Sequence, residues 1–345
     1  MIQLSQASPA RRVLLGAGAL AELPAEVDRG GMTKVVLVTS STLAKSSALV
    51  ERVESLLAGP HQATFTGVGQ HTPQSAVHQL EELLDQTGAD GVVSLGGGSV
   101  IDGCKAAIHA RGAAGITHLA IPTTLSGAEF TASAGVTDDA TRRKKGQVDP
   151  ESAPRRVILD PDATLATPQS LWLSSGIRAL DHAVETIWAP ERDPLTSFLA
   201  KESIRRLLKF LPECQQQPEL LECRHGAQIA AWWAALGLAS NTMGPSHQLG
   251  RVLGATFGIP HGITSCIFLP ATIDHFAITE PALVAPLADP LGASRADMVG
   301  TVVRAFVESL GLPTALAAAG FDPDDLPRFL ELVPLEWHSI VRACV

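Results

Sequence analysis

The chain has 345 residues, 46% of them hydrophobic and 18% charged, with a formal net charge of −9. That length allows two domains with cores of their own, and the composition is that of a folded chain, not a disordered one. The acidic balance argues against nucleic acid or an anionic membrane surface as the main partner. The N-terminal stretch lacks the apolar h-region of a signal peptide, and no apolar run reaches the ~18 residues of a spanning helix. A cytoplasmic protein with no membrane partner is therefore expected. Cys104, Cys214, Cys223, Cys266 and Cys344 are scattered without a C-x-x-C pair and read as reduced thiols. Tyrosine is absent, which removes that residue from any acid–base role.

From Arg11 to Leu23, RRVLLGAGALAEL reads as a strand, a glycine turn at Gly16–Gly18 and a helix. Lys34–Thr39 is a buried strand, followed by a polar turn at Ser40, Ser41 and Thr42 and a helix through Val50–Leu57. A strand at Ala63–Val68 and an amphipathic helix at Ser75–Thr87 come next. Gly91–Ala107, GVVSLGGGSVIDGCKAA, is an apolar strand, a run of three glycines closed by Ser99, and a helix from Val100. Thr117–Ile121 is a strand ending in the turn Pro122-Thr123-Thr124. The polar stretch Asp138–Arg156 reads as an exposed hairpin or loop, and Val157–Leu159 as a last strand before a domain boundary at Asp160-Pro161. Beyond it only helices are expected, at Pro168–Ile187, Asp193–Phe210, Leu220–Leu238, Ser246–Thr256, Ile263–Phe276 and Met298–Leu310. The pattern gives an α/β, Rossmann-like parallel-sheet domain over residues 1–160 and an all-helical domain over residues 161–345.

In open parallel sheets, ligands sit beyond the carboxyl ends of the strands. This brings the turns at Ser40, Gly96–Ser99 and Thr123–Leu125 to one rim. Glycines let the backbone approach a bulky anion, and the unpaired N–H groups and dipole of the following helix hold a phosphate. Ser99 is placed to cap that helix and donate to a phosphate oxygen. For the glycine run alone the alternative is a tight turn that binds nothing; three such loops on one rim point to a nucleotide cofactor, with the active site in the cleft between the two halves.

In the helical half, Arg178 and His182 are four apart, His247 and Arg251 are four apart, and His261 follows Pro260 at a turn. Three converging imidazoles can bind a metal that polarises a carbonyl. Catalytic divalent sites of this kind often add a carboxylate. The face of His182 offers Arg178 instead, whose like charge disfavours a metal. Arg178 and Arg251 suit a bidentate clamp on substrate carboxylates, with the histidines donating protons or orienting oxygen. Asp181 reads as a surface-helix residue, Cys266 as a buried small residue, and Trp232 and Trp233 as core packing.

Several motifs in order, GAGAL, GGGSVIDGCKA, AIPTTLSGAEFT, PRRVILDPDATLATP, SSGIRALDHAVE and FGIPHG, resemble the iron-containing alcohol dehydrogenase family from about Arg12 to about His275. Within it, the compact PTTLSGAE turn is the form of the maleylacetate reductases. The resemblance implies a nucleotide-binding domain followed by a helical domain of the dehydroquinate synthase-like type, usually in a homodimer, acting on a small molecule with NADH or NADPH. Gly97, Gly98 and Ser99 would meet the pyrophosphate, with Gly96 and Asp102 in the same cofactor-binding segment, and Thr123, Thr124 and Leu125 the nicotinamide side. Ser40 stands where NAD-specific relatives carry an acidic residue for the ribose hydroxyls, so it selects neither cofactor.

The metal-dependent members use an Asp and three His. His182, His247 and His261 fall on the histidine positions and Arg178 on the Asp position, so no metal is expected. The family's HHK-x-x-H is here Ser246–Arg251, SHQLGR, and its PHAE is Pro260–Ile263, PHGI. These departures lie in the substrate half, so the reaction class carries over more directly than the substrate. The expected function is reduction of a small oxo-carboxylate of the maleylacetate type, with Arg178, His182, His247, Arg251 and His261 as catalytic residues. Two alternatives stand beside it: a metal-activated (iron or zinc) alcohol dehydrogenase using the three histidines and a water, and a nucleotide-binding relative with altered or lost catalysis in a biosynthetic pathway.

Overall fold

A computed structural model describes residues 8–112, 115–190, 193–239 and 243–345. The chain divides into two units, one running to Pro168 and including Glu219–Gln228, the other comprising Gln169–Pro218 and Ile229–Val345. The expected boundary after Asp160 falls a few residues early, and the return of Glu219–Gln228 to the first unit had no signature in the pattern. Arg224 and Gln228 fix that return: Arg224 Nη1 donates to the Thr164 carbonyl at 2.8 Å, and Gln228 Nε2 to the Asp160 carbonyl at 3.4 Å.

The strands of the first unit are β1 (Arg12–Leu15), β2 (Val35–Val38), β3 (His61–Phe65), β4 (Gly91–Gly96), β5 (Thr117–Pro122), β6 (Ser133–Thr137), β7 (Lys144–Val148) and β8 (Arg156–Leu159). Six of them form one parallel sheet in the order β1-β8-β5-β4-β2-β3. The central strands are buried on both faces and so are almost wholly apolar. Alternation divides β2 between two cores. Val35 and Leu37 pack with Leu23 and Val27 of α1 (Leu23–Arg29) and Val50 and Val53 of α3 (Leu49–Leu56), beyond the short α2 (Ser41–Ser46). Val36 and Val38 pack with Leu80 and Leu84 of α4 (Gln74–Thr87) and Cys104 and Ile108 of α5 (Gly98–Ala110).

Two local expectations shift and a third, the hairpin in the polar stretch, holds. The strand placed at Ala63–Val68 is β3, two residues earlier, because it pairs along β2 from Val35↔His61 to Val38↔Phe65 and ends where its partner ends. The polar turn after β2 is already α2, whose N-cap Ser40 accepts the Leu43 N–H at 3.2 Å. In the polar stretch after Asp138, β7 pairs antiparallel with β6 to make a hairpin.

The second unit is helical among the described residues: α6 (Gln169–Trp188), α7 (Pro194–Gln216), the end of α8 (Leu221–Ala235), α9 (Pro245–Phe257), α10 (His261–Thr279) and shorter helices after them. Contrary to expectation, α10 is long and apolar enough in composition to cross a membrane. Its Ile267, Phe268 and Ala271 are instead part of a core with Leu249 and Leu253 of α9 and Phe329. Glycines bring these helices close. A Cβ on Gly262 of α10 would lie 2.8 Å from the Ser174 carbonyl of α6, and one on Gly250 of α9 would lie 2.5 Å from Thr264 Oγ1 of α10.

Candidate active site

The sheet order reverses at β2: the chain runs outward from β2 to β3, then returns to β4 on the other side of β2 and continues to β5. Loops leaving β2 and β4 diverge there, which makes the crevice where open α/β sheets bind ligands. Gly96, with φ of 156°, starts the turn after β4, and a Cβ on it would lie 2.9 Å from Val100 Cγ2. The cap of α5 is Gly97, in extended conformation and with no side-chain hydrogen bond, so the expected cap by Ser99 is corrected. Ser99 lies inside the first turn, and its carbonyl accepts the Thr72 hydroxyl at 3.1 Å. The helix end stays bare and offers its N–H groups to an anion.

Opposite this turn stand Thr124 and Ser126. A Cβ on Gly97 would lie 3.0 Å from Thr124 Cγ2, and one on Gly98 would lie 3.0 Å from Ser126 Oγ. Both hydroxyls, and that of Thr39 at the end of β2, are buried without a hydrogen-bond partner among the described residues. Buried orphan hydroxyls are uncommon in folded proteins and ask for an explanation; here they stand beside a bare helix end, which favours an anion. Thr123 is fixed by its backbone, its N–H donating to the Gly96 carbonyl at 3.0 Å and its carbonyl accepting the Thr167 hydroxyl at 2.7 Å. Leu125 is buried beside it.

Asp102 is tied within the protein. Its Oδ1 pairs with Lys105 Nζ at 2.9 Å, and its Oδ2 accepts the Gly135 N–H at 3.2 Å. Lys105, wholly buried, also donates to the carbonyls of Ala128 and Ser133. Together they tie α5 to the loop that carries Ser126. Glu129 of that loop is buried, and burial pushes its carboxyl up to about 7.

The sequence reading missed the corner His71-Thr72, which has φ of 62° and 55°. Left-handed backbone is rare outside glycine and an outlier for a β-branched residue. Thr137 holds the corner, its N–H bonding the Thr72 carbonyl at 2.9 Å and its hydroxyl the His71 carbonyl at 2.7 Å. Strain of this kind collects at functional sites, and only the flanking Gly69 and Pro73 hint at it in the sequence.

In the helical unit, α6 presents Arg178, Asp181, His182 and Glu185 on one face, at i, i+3, i+4 and i+7. His247 Nδ1, on the first turn of α9, lies 2.7 Å from Glu185 Oε2 and 3.4 Å from Asp181 Oδ2. Glu185 also caps α9, accepting the N–H groups of Gly244 at 2.8 Å and His247 at 3.2 Å. The Asp181 carboxylate accepts the hydroxyls of Ser246 at 2.9 Å and Ser265 at 2.7 Å, and Arg178 Nη1 donates to Ser265 Oγ at 3.1 Å. The His182 ring stacks on His247 with centroids 4.8 Å apart.

These groups are buried, and their environments divide them. Burial and Arg178 work against a proton on His247, but Asp181 and Glu185 outweigh them and raise its imidazole above the usual range. Burial, then the charges of His247 and Arg178, hold His182 well below that range, so it is neutral. Burial opposes charge on Asp181, yet His247, Arg178 and the Ser265 hydroxyl keep its carboxyl below the usual carboxylate range.

Of the residues expected to be catalytic, the structure gathers Arg178, His182 and His247. Arg251 is exposed one turn further along α9, and His261 is half-buried at the start of α10, its ring against Gly254. Asp181 is not on the surface: it is completely buried, because α6 is enclosed along most of its length and each charge on its inner face finds a partner. Cys266 is buried as expected, whereas Trp232 and Trp233 are only half-buried, with the Arg206 guanidinium 4.6 Å over the Trp233 ring.

Comparison with known proteins agrees with this architecture. Residues 10–161 match the family described as iron-containing alcohol dehydrogenase, and residues 172–336 match the C-terminal domain of the same family. Maleylacetate reductase from Rhizobium sp. strain MTP-10005 is 34% identical over 93% of this chain and 88% of its own length, and the Delftia acidovorans enzyme is 32% identical over 96% and 94%. The crystal structure of maleylacetate reductase from Agrobacterium tumefaciens superposes with a TM-score of 0.87 at 30% identity, covering 99% of this chain and 97% of that one. With a parallel-sheet unit in which a glycine turn follows β4 and a helical unit that gathers buried imidazoles, the chain belongs to the iron-containing alcohol dehydrogenase family and is an NAD(P)-dependent oxidoreductase.

Proposed function

We propose that the protein reduces a small oxo-carboxylate of the maleylacetate type with NADH or NADPH, and does so without a metal. The observation that carries this reading is Arg178, a half-buried guanidinium held between Ser265 and Asp181 in the midst of the histidine cluster. Asp181, Glu185 and His247 do offer ligand atoms within 4.8 Å of one another, which favours the second reading, a metal-activated alcohol dehydrogenase. A divalent ion fits this donor set poorly: Asp181 Oδ2 already accepts two hydroxyls, His247 Nδ1 is engaged by Glu185, and a fixed cation stands 3.8 Å from the same oxygen.

The N–H groups of the first turn of α5 and the hydroxyls of Thr124 and Ser126 would hold the dinucleotide. When bound, its nicotinamide supplies the hydride. Arg178 binds a substrate carboxylate or the carbonyl oxygen, and the exposed Arg251 serves a second carboxylate. His247 holds a proton at Nε2, which has no partner among the described residues, for transfer to the substrate oxygen. Neutral His182 supports the His247 ring by stacking. A cytoplasmic homodimer belongs to the same reading.

The test is NADH and NADPH oxidation with maleylacetate by wild type and R178A. R178A is expected to lose about 10²-fold in kcat/KM, the worth of a charged hydrogen bond, with NAD(P)H affinity within about twofold of wild type. Full activity in R178A contradicts the role of Arg178. Bound cofactor with no turnover on any oxo acid or aldehyde would instead indicate a relative that has lost catalysis.

A further inference from the structure

Asp181 touches no reactant in the chemistry just described, yet three helices converge on one of its oxygens. Its Oδ2 accepts Ser246 Oγ of α9 at 2.9 Å and Ser265 Oγ of α10 at 2.7 Å, and lies 3.4 Å from His247 Nδ1 and 3.8 Å from Arg178 Nη1 on its own helix. Since the Ser265 proton goes to Asp181, the Ser265 oxygen is left to accept Arg178 Nη1 at 3.1 Å. One edge of the guanidinium is thereby fixed, while its side chain keeps 16% exposure.

A residue needed only to close the helix packing here has no reason to be ionic. Apolar replacement of a buried ion pair is often neutral or stabilising, whereas removal of a single partner is costly. The carboxylate is explained by what it orients. We propose that Asp181 is the positioning residue of Arg178, fixing its Nη1 edge through Ser265 so that its opposite edge faces the substrate in one geometry, while Glu185 engages His247 Nδ1 directly. The inference rests on the reading above for what that opposite edge meets, and on the Asp181–Ser265–Arg178 hydrogen bonds alone for the positioning itself.

The experiment combines a spectroscopic and a kinetic measurement on the full chain. In protein with isotope-labelled arginine, the Arg178 guanidinium signals, identified by their loss in R178K, are followed by NMR in wild type, D181N and S265A. Wild type is expected to show separate, slowly rotating Nη proton signals, and both variants to average them. Kinetically, D181N is expected to lose at least about tenfold in kcat on maleylacetate with KM within about threefold, and to change kcat less than about twofold when R178M is already present. A purely structural role would not give that non-additivity. S265A cuts the link with the carboxylate in place, so it carries the test should D181N fail to fold. Unaltered Arg178 signals, or kcat losses in D181N and R178M that simply multiply, overturn the proposal. If wild type reduces no oxo acid but D181N still averages the Arg178 signals, the positioning is supported and only the proposed function fails.

Discussion

His182 and His247 are stacked imidazoles whose surroundings push their proton affinities in opposite directions, and that contrast bears on the chemistry available to the site. Two titratable groups driven apart by their surroundings are the usual mark of an acid–base assignment. His247, raised above the ordinary imidazole range, contributes ion-pair stability that is complete below the unfolded value of 6.5 and lost as pH rises through the folded one. The same loss removes the donated proton, so kcat is expected to fall on the alkaline side. H247Q should abolish that limb of the pH–kcat profile and lower kcat by about 10²- to 10⁴-fold; an unchanged profile assigns the proton elsewhere. Glu129 runs the opposite way for a carboxyl. Its value, raised from 4.5 to about 7, favours the neutral form, so the fold loses stability as pH rises from the lower value through the higher. E129Q should therefore unfold at higher denaturant than wild type at pH 8, by about 3 kcal/mol, and show little difference at pH 4.

The elements were legible because their periods are clean. Apolar runs such as VVLV, punctuated by polar turns, can only be buried parallel strands, and the helix expected at Ser246–Thr256 falls within α9. What the pattern hid was the inward face of α6. Asp181 beside His182 reads as solvent-facing because an isolated charge is costly to bury; its compensation comes from Ser246 and Ser265, 65 and 84 residues away, and no local rule sees that far. Thr72 escaped notice for a related reason, since its left-handed backbone is imposed by Thr137 from a distant hairpin. The packing that gathers the cluster depends on close approach of α9 and α10. G250A would set a Cβ 2.5 Å from Thr264 Oγ1 and 3.9 Å from Arg178 Nη1. It should destabilise the protein by about 1–3 kcal/mol in denaturant titrations and lower kcat more than NAD(P)H affinity.

At the scale of the molecule, each unit carries its own cluster. The first has backbone N–H groups and orphan hydroxyls at a glycine turn; the second has paired charge on α6 and α9, joined by the Ser265 hydroxyl of α10. In the second unit a guanidinium, Arg178, stands 3.8 Å from a carboxylate on the same helix face, Asp181. The central claim is that this internal cation, and no metal, serves the reaction. It is tested most directly by NAD(P)H oxidation with maleylacetate after exhaustive chelation, assayed with and without added iron or zinc. The account predicts undiminished turnover by the chelated enzyme and no gain on adding either ion; turnover that disappears on chelation and returns with iron or zinc would contradict it.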